Sequence, residues 1–146
     1  MKIKIFWRIV LILLVFGCSN EKTSPDVVEM EVDFAWATGS NDIFPELTVS
    51  NVPAGTKQFD VVMKDLDNGD DRAEYMLPND DKHVKISDAE ADAVIIPAGA
   101  VKGFRGYGEG WGQIRHEVTV KALDANGVIV GIGKMMRKYP EEDPYK

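Results

Sequence analysis

The sequence is poor in the residues that build metal and redox chemistry. Its 146 residues include one cysteine, Cys18, and two histidines, His83 and His116. A single Cys excludes an internal disulfide and the thiolate-rich zinc sites, and two His exclude a three-His metal site. Basic residues are also scarce: 17 Lys and Arg against 24 Asp and Glu give a formal charge of −7. Nucleic acid is therefore not an expected partner, since phosphate binding needs a basic face that releases counterions. No apolar run reaches the ~20 residues that cross a ~30 Å hydrocarbon core. Gly-x-Ser-x-Gly is absent, and no serine stands out as a nucleophile for either His. The five glycines from Gly103 to Gly112 lack the Gly-Lys-Ser/Thr ending of a phosphate loop. The acids from Asp65 to Asp71 miss the EF-hand spacing, with Gly69 in a ligand slot. No enzyme activity, metal or cofactor is expected. What remains, 45% hydrophobic and 28% charged, suits one compact domain with a real core.

The N-terminus follows a different rule. Lys2, Lys4 and Arg8 precede the apolar run Ile9 to Phe16, and no acid appears before Glu21, which is the pattern of an export signal. The run ends Val15-Phe16-Gly17-Cys18, which resembles a bacterial lipobox: aliphatic at −3, small at −1, then the Cys that takes the lipid. Lipidation at Cys18 with removal of residues 1–17 is the expectation, and two or more acyl chains anchor stably where one does not. Residues 1–17 hold three bases and no acid, so their removal takes the charge from −7 to −10. Ser19 at +2 resembles lipoproteins sent to an outer membrane where one exists. The expected location is the cell envelope, tethered through lipid and not spanning. Residues 18–26 then read as the lipidated Cys and a polar tether.

From Val27 the periodicity is that of strands. Val28, Met30, Val32 and Phe34 alternate with Glu29, Glu31 and Asp33, putting one face in a core. Further strands are expected at Glu46 to Ser50, Gln58 to Lys64, Ala93 to Ile96, His116 to Leu123 and Val128 to Met135. Asp124-Ala125-Asn126-Gly127 supplies a hairpin turn between the last two. Ser87 to Ala93, with Ser87 as cap and Glu90 three residues on, suggests one short helix. The expected organisation is a signal peptide at 1–17, a tether at 18–26, an all-β domain of sandwich type at 27–140 and a loose acidic tail at 141–146.

Two blocks in order carry a family resemblance. The first is Phe44 to Asn68, FPELTVSNVPAGTKQFDVVMKDLDN; the second is IIPAGA from Ile95, followed by GYGEGWGQIRHEVTVKALDANG from Gly106. With Tyr139-Pro140 near the end, the chain resembles the phosphatidylethanolamine-binding protein (PEBP) family over residues 30 to 140. That resemblance implies a two-sheet β-sandwich with Greek-key connections and a shallow pocket for an anionic group. Family members act mainly as binders and inhibitors.

The resemblance also implies positions. Asp65-Leu66-Asp67-Asn68 resembles the family's Asp-Pro-Asp motif without its proline, placing Asp65 as the pocket carboxylate and Asp67 as its companion. The strand-borne His of the family has no clear counterpart; His83 is the nearest candidate. Gly112-Gln113-Ile114-Arg115-His116 resembles Gly-x-His-Arg-Tyr, with Ile114 in place of the motif His and His116 where a lining aromatic is usual. Gly108 to Gly112 replaces the proline-rich rim, with Tyr107 and Trp111 as aromatic walls. The candidate ligand-binding residues are thus Asp65, Asp67, Tyr107, Trp111, Arg115 and His116. The expected ligand is a small anion, a phospholipid headgroup or a peptide. The alternative is a non-catalytic envelope interaction or inhibitor module whose pocket has degenerated through loss of the His and the prolines.

Overall fold

A computed structural model describes residues 21–36, 42–79, 84–85, 93–106 and 112–140. Among them are eight strands and no helix: β1 Thr23–Ala35, β2 Glu46–Ser50, β3 Gln58–Asp65, β4 Asp71–Pro78, β5 Val84–Lys85, β6 Val94–Ile96, β7 Ile114–Leu123 and β8 Ile129–Tyr139. The protein is all-β. Of the expected helix only Ala93 is described, and it lies buried just before β6. Cys18 and the tail at 141–146 lie outside the described residues.

The strands follow one hydrogen-bonded order, β4-β3-β7-β8-β1-β2-β6-β5. β1 makes this possible by serving two neighbours in turn. Its first part runs parallel to β8, with Val28 opposite Gly131 and Met30 opposite Gly133. Its second part runs antiparallel to β2, from Glu31 opposite Ser50 to Ala35 opposite Glu46. The chain crosses between the two halves three times, from β2 to β3, from β4 to β5 and from β6 to β7.

Alternation sets the core. Phe59, Val61 and Met63 of β3 and Val118, Val120 and Ala122 of β7 are fully buried, and their neighbours along each strand face outward. Met30, Val32 and Phe34 of β1, Leu47 and Val49 of β2 and Ile96 of β6 join them in a single cluster. Burying a large aliphatic or aromatic side chain contributes about 1.5–3 kcal/mol, so these residues dominate the driving force. The outward face carries charge pairs across strands. Lys134 binds Glu117 at 3.1 Å, and Lys121 binds Glu21 at 2.7 Å.

Two local features differ from or sharpen the sequence expectations. β1 begins at Thr23, so residues 23–26 are strand where the tether was expected; Lys22 O accepts from Ile129 N at 2.8 Å. β4 was not anticipated. Its inward residues are Arg72, Ala73 and Leu77, too mixed to read as an alternating strand, and its outward residues include Glu74 and Pro78. The β7–β8 turn forms as expected: Asp124 Oδ1 accepts from Asn126 N and Val128 N, and Gly127 takes φ 72°.

Candidate functional site

The site candidates gather at one end of the β4-β3-β7-β8 layer. β3 ends at Asp65, and the chain reverses through Leu66 to Asn68 and Gly69, whose φ of 76° suits glycine. The Asp65 side chain organises that reversal. Its Oδ1 accepts from Asp67 N at 3.0 Å and Asn68 N at 2.9 Å, while Oδ2 accepts from Asn68 Nδ2 at 2.8 Å and Arg72 Nη2 at 2.8 Å. Burial by itself would raise the Asp65 pKa. The Arg72 guanidinium and the Asn68 and Asp67 donors outweigh it and hold the carboxyl well below the usual carboxylate range.

His116 stands directly opposite Asp65 in the β3–β7 ladder, and both are 0% exposed. Burial pushes the His116 imidazole down to about 4, with Asp65 opposing and Arg72 assisting the shift. The ring is therefore neutral at pH 7. On its other side His116 faces Arg137 of β8, which binds Asp33 at 2.7 Å and lies 5.7 Å from the Phe34 ring centre. Trp36 meets His116 edge-on at 5.4 Å, and also packs on Phe34 at 5.2 Å and Tyr139 at 5.0 Å. Its Nε1 donates to Lys138 O at 2.9 Å.

Asp67 and Arg115 form the outer layer of the same corner. Asp67 Oδ1 accepts from Arg115 Nε at 2.9 Å and Nη2 at 2.7 Å, and its Oδ2 accepts from Arg115 N at 2.7 Å. This forked geometry holds the Asp67 carboxyl below its ordinary range and raises the Arg115 guanidinium above its own. Arg115 O accepts from Leu66 N at 2.9 Å, which ties the turn to β7. Arg105 closes the β4 side through Arg105 N to Arg72 O at 3.0 Å and its guanidinium to Asp71 O.

Four of the six candidates, Asp65, Asp67, Arg115 and His116, thus form one corner. Tyr107 and Trp111 lie outside the described residues, as does His83. Chemically the corner is a set of matched charges: each of the two aspartates binds an arginine, and the imidazole beside them is neutral. Sequence reading missed Arg72 and Arg137. Arg72 lies seven residues beyond Asp65, across the turn, and only the recognition of β4 as a strand would have brought the two together.

No family model matches the sequence, and no curated protein matches it. The chain is similar to solved structures. One is a protein of Chlamydia trachomatis described as a PEBP homologue, 14% identical, with 80% of this chain and 99% of that chain covered at a TM-score of 0.47. Another is YbcL of E. coli, described as a member of the mammalian PEBP family, 18% identical, with 82% and 91% covered at a TM-score of 0.44.

Proposed function

We propose that this chain is a divergent PEBP-type binding domain, exported and held at the cell envelope by lipid on Cys18, which takes a small anionic ligand at the Asp65–His116 corner without catalysing a reaction. The observation that carries the reading is the convergence of the two sequence blocks. Asp65 and Asp67 from the first meet His116 and Arg115 from the second, in register and in direct hydrogen bonds. Arg115, half exposed at the rim, supplies the cation. The non-spanning membrane attachment rests on the basic, apolar and lipobox pattern of the N-terminus.

NMR titration of residues 19–146 with inorganic phosphate, acetate and phosphorylethanolamine tests the binding. Saturable shifts at Arg115 and Trp111, lost in Arg115→Gln, are expected. Their absence at millimolar ligand overturns it.

A second reading, an interaction or inhibitor module for an envelope protein, is favoured by one specific feature. All four hydrogen bonds accepted by the Asp65 carboxylate come from this chain's own donors, as in a structural clasp.

A further inference from the structure

The N-terminal segment is fastened to the domain before β1 enters its main pairing. Glu21 accepts from Lys121 Nζ at 2.7 and 2.8 Å, Lys22 O accepts from Ile129 N, and Thr23 stands opposite Ile129. All three contacts lie toward the end of the layer that carries the β7–β8 turn. Asp65 and His116 lie toward the other end. From Leu123 to His116 is seven residues of extended β7, about 23 Å at ~3.3 Å per residue. Cys18 precedes Glu21 by three residues, whose greatest reach is about 11 Å.

We propose that the β7–β8 turn is the membrane-facing pole of the domain and that the Asp65–His116 corner is presented away from the anchoring bilayer. Its anionic ligand then comes from the aqueous phase and not from the headgroup layer that holds the anchor. This rests on the reading that Cys18 carries the lipid. The short reach keeps Glu21, and with it the turn, close to the headgroups. Charge adds to this on the β1 side. The chain without residues 1–17 carries −10, and lying on β1 would press the exposed Glu29 and Glu31 against headgroups, which repel acid when anionic. At the turn pole Lys22, Lys57 and Lys121 stand among Glu21, Asp60 and Asp124 and offset them.

The test uses the lipidated chain purified from membranes and reconstituted into phosphatidylcholine vesicles with some phosphatidylglycerol. Cys18 is the one native cysteine, and lipid on its sulfur leaves an introduced thiol as the single labelling site. Ala125→Cys places an environment-sensitive fluorophore at the turn, and Leu66→Cys places it at the far corner; both positions are exposed. Nitroxide on the lipid headgroups is expected to quench the label at 125 several-fold more than the label at 66. Adding Lys121→Gln, which releases Glu21, narrows that difference. Equal or reversed quenching on a chain shown by mass spectrometry to carry lipid overturns the polar arrangement alone. A chain with a free Cys18 thiol that does not float with the vesicles overturns the lipid reading and the arrangement together. Phosphate added outside the vesicles should shift Arg115 resonances equally with and without phosphatidylethanolamine in the bilayer. A response that needs the phosphatidylethanolamine overturns the aqueous source.

Discussion

Asp65 and His116 are registered partners on adjacent strands, equally buried, yet one is held ionised and the other neutral. Four donors around the carboxylate account for the first, and withdrawal of the ring from water beneath Trp36 accounts for the second.

This pairing separates acid unfolding into two stages. The unfolded chain binds the His116 proton near pH 6.5 and the folded chain only near 4, so between those values the unfolded state holds the extra proton and stability falls as pH falls. The loss reaches up to about 3 kcal/mol at 1.36 kcal/mol per pKa unit. The Asp65 contribution is present in full above the ordinary carboxylate range and is lost only as pH falls through its lower folded value. Urea denaturation at pH 7, 5.5 and 4.5 should show the first stage, and His116→Phe should remove it while leaving the second.

Removing one partner of the buried Asp65–Arg72 pair is expected to be costly. Asp65→Asn leaves the Arg72 charge, 9% exposed, facing a neutral amide, and buried pairs broken this way lose about 3–5 kcal/mol. Combining it with Arg72→Met should recover part of that loss. A double mutant no more stable than Asp65→Asn would show that the pair is not the source of the effect.

The rim pair behaves otherwise. Arg115→Lys keeps the charge and loses the fork on Asp67 Oδ1, so the melting temperature should drop only slightly, and the drop should vanish at high salt. Asp67→Ala also strips the acceptor from Arg115 N and should lower the melting temperature more. Thermal melts of both variants at low and high salt check the order.

β8 depends on glycine where it meets β1. A Cβ at Gly133 would sit 2.6 Å from Met30 O and 2.7 Å from Val32 Cγ2, and the backbone atom cannot swing aside. Gly133→Ala should destabilise by about 1–3 kcal/mol, the usual range for overpacking. Gly127→Ala, where nothing lies within 4 Å, meets only the strain of φ 72° and should cost about 1–2 kcal/mol. Denaturant midpoints of the two variants compare crowding with strain.

The strands legible in the sequence were those with clean alternation: β2 matches its expected limits, and β3 and β7 differ from theirs by one and two residues at an end. β4 was illegible because its buried positions include Arg72, whose burial depends on a carboxylate that is close in space and not in pattern. The parallel β1–β8 pairing was illegible too, since strand periodicity gives a strand's faces and says nothing of its neighbour. At the site, Asp65, Asp67, Arg115 and His116 were reached through motif order. Arg137 was not, because its role follows from standing opposite His116, a relation that only the register of β8 supplies.

β1 also has a mechanical meaning. Its first part and β8 run the same way, with the N-terminal segment leaving at one end and Tyr139 at the other. Tension applied between the N-terminal segment and the far end of β8 therefore acts along the strands and loads their hydrogen bonds together in shear. An antiparallel neighbour at that position would have let them open one at a time, like a zip.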